Sequence, residues 1–107
     1  MTTSFNEIIN VIPRDLAISD LKKGVLASSD SLKAVRLPLT AGEVVAEHKA
    51  MGDIAVVCLA GHVDFNVGET THHLEPGDLV CLTAGTLHSV NAVLDSVLLV
   101  TLCLRAT

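Results

Sequence analysis

Five histidines stand in a chain of 107 residues, and two of them are placed for chemistry. His48 lies six residues after Gly42 in the strand-like segment Glu43–Ala50, and His88 follows the turn Thr83-Ala84-Gly85-Thr86. An imidazole offers a lone pair to a metal or a proton, and once protonated it pairs with an anion. Three kinds of chemistry are therefore open to the pair: metal ligation, proton transfer by a general base, or anchoring of a small ligand by hydrogen bonds. The two residues are forty positions apart, so only tertiary structure can bring them together; a sandwich of sheets would set them face to face.

The elements that must do this read as strands. From Gly24 onward the apolar period is two. In His62–Val67, residues Val63, Phe65 and Val67 share one face and His62, Asp64 and Asn66 the other, the signature of a half-buried strand. Gly68-Glu69 then reads as a two-residue hairpin loop leading into Thr70–Glu75. Glu75-Pro76-Gly77-Asp78 is a turn, because Pro presets φ at the second position and Gly accepts positive φ at the third. Ile54–Ala60 and Val97–Leu104 are apolar throughout and need cover on both faces. Turn glycines recur at 42, 52, 61, 68, 77 and 85, a spacing that predicts an all-β sandwich or barrel. Ahead of these strands, Pro13 through Leu16 toward Lys22, stopped by Gly24, reads as a short helix or an extended arm.

Composition narrows the function. Seven Lys and Arg against twelve Asp and Glu give a net charge of −5, which argues against a nucleic-acid backbone as partner. The aromatics are two Phe, with no Tyr or Trp, so a tyrosine acid or an aromatic stacking platform is excluded. Three cysteines, Cys58, Cys81 and Cys103, each lie in an apolar run; buried reduced thiols are expected rather than a disulfide framework. No signal-peptide pattern or bilayer-length apolar run occurs, and the expectation is a soluble, cytoplasmic protein without a membrane partner.

Gly42, His48, Gly61, Gly77, Gly85 and His88 together resemble the two motifs of the cupin superfamily, over roughly residues 31–104. The resemblance implies a double-stranded β-helix, that is, an RmlC-like jelly-roll barrel. It also implies where a metal would sit: in metal-bearing cupins, two histidines and a glutamate of the first motif and one histidine of the second point inward. Here those positions hold His48, Ala50, Ile54 and His88. Thr83 replaces the proline of the second motif, and Ala92 stands where that motif has asparagine.

With two of the four ligands replaced by apolar groups, the expectation is an aliphatic pocket anchored by His48 and His88. Ala50, Ile54 and Cys58, which share their parity, should line it. It would take a small metabolite, a small organic acid or a neutral one, with no metal held tightly. The alternative is a metal-dependent cupin enzyme of dioxygenase, isomerase or decarboxylase type, holding Fe, Mn, Ni or Zn through His48, His88 and a non-standard third ligand. Candidates for that third ligand are Asp53, should a bulge at Gly52 turn it inward, His72, which shares parity with Leu74, and Cys58. His62 and His73 are expected to face solvent. A sensing module of a transcription regulator is a third reading, though the chain has no room for a helix-turn-helix domain. Residues 1–30 read as an arm packing on the barrel or a partner subunit, and 31–107 as the barrel. Small cupins resemble one another in forming dimers, and a homodimer is expected.

Overall fold

The computed structural model describes residues 5–104, so the ends of the expected arm and barrel, residues 1–4 and 105–107, lie outside the described residues. Nine strands follow one another: β1 (Gly24–Ser28), β2 (Leu32–Leu39), β3 (Val44–His48), β4 (Ile54–Ala60), β5 (Val63–Val67), β6 (Thr70–Leu74), β7 (Leu79–Leu82), β8 (His88–Ala92) and β9 (Ser96–Cys103). They form two antiparallel sheets, a five-stranded one in the order β1-β2-β9-β4-β7 and a four-stranded one in the order β3-β8-β5-β6. This is the jelly-roll arrangement that the cupin resemblance implies, and the all-β layering that the period-two pattern predicts.

The turns carry the chemistry read from their residues. Val67 pairs with Thr70 across the Gly68-Glu69 loop, and Gly77 has φ +96° in the turn that the Asp78 N–H closes by donating to Glu75 O at 2.9 Å. Gly61, also left-handed at φ +84°, has a second reason to be glycine: a β-carbon there would run into Asp95 O and Ser96 Oγ.

The helix option for Pro13–Lys22 is not what forms. That stretch holds two isolated turns, one closed by the Leu16 N–H donating to Pro13 O at 3.3 Å and one 3-10 turn, Ile18–Asp20, and Gly24 opens β1 instead of ending a helix. Just ahead of Pro13, the Arg36 guanidinium donates to the backbone carbonyls of Val11 at 2.7 Å and Asn10 at 3.1 Å. No helix among the described residues is long and apolar enough to cross a membrane.

The space between the sheets has two ends. One is filled by Leu39, Cys58, Val63, Leu74 and Ala92, all buried in one apolar cluster. Toward the other end the sheets part around a cavity. β2, β4, β5 and β8 run from the filled end into the walls of the open one, so the packed core fixes the frame on which the cavity is built.

Candidate functional site: a basic cavity between the sheets

The cavity has a volume of about 410 Å³, within the range of small-molecule sites. Its walls are aliphatic. The five-stranded sheet contributes Val35, Leu37, Ile54, Val56, Leu98 and Val100, and the four-stranded sheet Val45, Phe65 and Val90. His48, Ala50 and His88 also line it.

His48 and His88 are brought together differently from the way the sandwich argument supposed. They do not face each other from opposite sheets; they are direct cross-strand neighbours on β3 and β8 of the same sheet. A bulge makes this alignment. Between the Val45–Val90 pair and the His48–His88 pair, β3 advances three residues while β8 advances two. The extra residue lets Val45 and His48, of opposite parity, both turn to the cavity. The ring centroids are 4.3 Å apart, with planes inclined at 58°.

The two rings differ in exposure and share one tautomer. His88 is buried, whereas His48 is exposed, because β3 is the edge strand of its sheet. His48 Nδ1 lies 3.0 Å from Ala46 O and His88 Nδ1 3.0 Å from Thr86 O. A carbonyl only accepts, so each Nδ1 carries the proton and donates it. Each Nε2 is thereby left as the ring's remaining polar atom.

The donor set does not fit a tightly held metal of the kind the fold family implies. A stable transition-metal site takes three or four protein ligands, usually with a carboxylate or thiolate to offset charge. Two imidazoles are the only side chains of ligating type that line this cavity, and the candidates for a third are placed elsewhere. Asp53 is exposed, and its Oδ1 accepts the Ala84 N–H at 2.9 Å, away from the cavity; no bulge at Gly52 reverses it. His72 is exposed on β6, the far edge strand from β3. Cys58 has the inward parity expected of it but sits one step beyond Val56, in the filled end of the barrel, and is not among the residues lining the cavity.

Residues 46–99 match the family model described as the AraC-like ligand binding domain. The chain belongs to the AraC-like ligand binding domain family. This domain is also a cupin in its architecture. It is similar to a cupin superfamily protein from Desulfitobacterium hafniense DCB-2, with a TM-score of 0.77 at 18% identity over 92% of this chain and 99% of that one. It is similar to an RmlC-like cupin from Desulfovibrio desulfuricans, with a TM-score of 0.73 at 23% identity over 89% and 94%. KdgF from Halomonas sp. gives a TM-score of 0.73 at 22% identity over 78% of each chain. No curated protein matches the chain.

Two features of this AraC-like domain escaped the sequence. The first is the charge at the cavity. Lys23, Lys33 and Lys49 line it together with His48 and His88, and no acidic residue does, although the chain as a whole is acidic. Lys23 precedes β1 and Lys33 lies on β2, so nothing local in the sequence ties them to the histidines. The second is on the outside of the four-stranded sheet, where His62 and His73 face away from the cavity as expected but meet around Asp64.

The cysteines depart from expectation too. Cys58 is fully buried, but Cys81 and Cys103 are exposed. Cys81 points outward from β7, an edge strand, and Cys103 ends β9; an apolar run at a sheet edge does not guarantee burial.

Proposed function

We propose that this domain binds a small organic acid in the aliphatic cavity, as a binding module without a metal. The observation that carries the reading is the composition of the lining: three lysines and two histidines, no carboxylate, and otherwise apolar walls. A carboxylate group would sit against the imidazole Nε2 atoms, where protonated His48 or His88 donates to it. The carbon skeleton would occupy the space between the sheets, and the lysines would offset the ligand's charge on entry. A neutral polyol would leave the cationic groups unmatched. The metal-dependent alternative asks for a third ligand that the lining does not supply.

The test is calorimetric titration with a panel of small carboxylates and their neutral amide or alcohol counterparts. The acids are expected to bind and the counterparts to bind weakly or not at all. His48→Ala and His88→Ala should each weaken binding by about tenfold or more, as expected for a lost charge-assisted hydrogen bond. A neutral compound that binds as tightly as its acid, or two variants that keep full affinity, would overturn the proposal.

We further propose a homodimer. Its support is the outward face of the five-stranded sheet, where Ala55, Val57, Leu59 and Leu99 are only half-buried and Leu79 is exposed. Light scattering at micromolar concentration is expected to return twice the chain mass; a monomeric mass would reject it.

A further inference from the structure

The outer face of the β5–β6 hairpin carries a cluster of side chains that the cavity does not use. Asp64 on β5 is the direct cross-strand partner of His73 on β6. His62 is two residues before Asp64 and Glu75 two residues after His73, so alternation sets all four on the side of the sheet opposite Phe65 and Leu74. His73 Nδ1 lies 2.6 Å from Asp64 Oδ1, and His62 Nε2 lies 3.6 Å from the same oxygen. His62 Nδ1 lies 3.9 Å from Glu75 Oε1. One ligating atom from each of His62, Asp64 and His73 falls within a 4.8 Å span.

We infer that His62, Asp64 and His73 form a surface site for a divalent transition metal of the zinc type; Glu75 lies against the other nitrogen of His62, Nδ1, and orients that ring. The chemistry of the donors selects the ion. Two imidazoles and a carboxylate suit zinc, cobalt, nickel or copper, whereas magnesium and calcium want an all-oxygen shell. Around a tetrahedral zinc with bonds of about 2.0–2.1 Å, neighbouring ligand atoms lie roughly 3.3 Å apart. The 3.6 Å separation of His62 and Asp64 is close to that value. The 2.6 Å separation of His73 and Asp64 is that of a shared proton; on binding, the metal takes the proton's place and His73 Nδ1 becomes a ligand.

Charge favours the exchange. The Asp64 carboxylate offsets part of the charge of a divalent ion and Glu75 adds a second negative charge nearby, which the basic cavity pair of His48 and His88 cannot do. The frame is stiff, because Asp64 and His73 lie on paired strands joined by a two-residue loop, and sites held on regular elements keep their geometry. With three protein ligands on an open sheet face, a position stays open to water or to a donor from another molecule.

The experiment is titration of metal-stripped protein with Zn2+ by calorimetry and with Co2+ by visible absorption, for the wild type, Asp64→Asn, His73→Ala and the double variant His48→Ala/His88→Ala. One equivalent is expected to bind the wild type and the double variant alike. In both, Co2+ should show the intense absorption of a four-coordinate ion. Asp64→Asn and His73→Ala should each lose about tenfold or more in affinity, and circular dichroism should confirm that they are folded. Asp64 is half-buried and His73 exposed, so the His73 variant decides the matter should Asp64→Asn unfold. Absence of saturable binding to the wild type up to millimolar metal would overturn the inference. So would binding that survives in His73→Ala, or binding that is lost in the double variant alone.

Discussion

Phe65 lies flat against His88: their ring centroids are 5.4 Å apart and their planes within 9° of parallel. Phe65 is fully buried and sits on β5, which pairs with β8. It therefore closes one side of the His88 ring while the His88 Nδ1–H is held by Thr86 O. With two sides fixed, His88 presents Nε2 to the cavity in one orientation. Phe65→Ala is expected to lower stability by about 3–5 kcal/mol, as for large buried aromatics. Phe65→Leu, which keeps most of the volume, should cost less stability yet still weaken ligand binding, because the flat support is gone. Urea unfolding and calorimetry on the two variants separate these effects.

The two histidines should separate stability from binding. His48 is exposed and its removal is expected to change stability by no more than about 0.5 kcal/mol, like most surface substitutions. His88 is 4% exposed, and His88→Ala is expected to cost about 1–3 kcal/mol by orphaning Thr86 O and emptying space beside Phe65. Both should lose ligand affinity. Urea midpoints check the asymmetry.

The lysines predict a dependence on salt. Replacing Lys23, Lys33 and Lys49 by Gln is expected to slow association with a carboxylate and to remove most of its sensitivity to ionic strength. Long-range steering by exposed charges is screened within about 10 Å at 0.1 M salt. Stopped-flow association rates at low and physiological salt, on the wild type and the triple variant, test this.

Thiol reactivity should divide two to one. Cys81 and Cys103 are exposed and Cys58 is buried. Burial pushes the Cys58 thiol up from its ordinary value of 9.0, against the lowering effect of the Ala60 backbone, and Asp78 and Glu75 add to the rise. Native protein is therefore expected to consume two equivalents of a thiol reagent quickly and the third only as it unfolds. The raised value also sets the sign of a pH effect. The folded state favours the protonated thiol, so this contribution to stability is full below the unfolded value of 9.0 and declines as pH rises through the folded one. Cys58→Ala should flatten that part of the alkaline decline, read as urea midpoints across the range.

Gly61→Ala is expected to destabilise the barrel by about 2 kcal/mol or more. The substitution combines a left-handed backbone with a collision between the new methyl group and the Asp95–Ser96 backbone region. Thermal unfolding measures it.

Much of this architecture was legible in the residues, and the exceptions have physical causes. The hairpin at Gly68 and the turn at Gly77 carry their chemistry locally, so their outcome could be read. The His48–His88 partnership followed from motif spacing. Its geometry did not, because the bulge in β3 falls within Val45-Ala46-Glu47-His48, where no glycine or proline marks it. The absent N-terminal helix is similar: Pro13 and Gly24 are fair helix boundaries, but Gly24 is taken up in β1 by pairing with β2, and the chain just ahead of Pro13 is bonded to Arg36, distant in sequence. The basic lining was hidden for the same reason, since the residue before β1 and a residue of β2 supply lysines to a pocket whose histidines come from β3 and β8. The His62–Asp64–His73 cluster had a local signal that went unused: alternation places all three on one face of a hairpin whose loop fixes the register.

The contrast between floor and rim has a consequence for evolution. The floor is made of short branched side chains locked between two sheets, and altering it disturbs the frame. The rim is made of lysine side chains on flexible four-carbon stems, Lys23 and Lys49 exposed and Lys33 half-buried. Cargo preference can thus drift through substitutions at the doorway, charge by charge, while the vessel itself stays as it is.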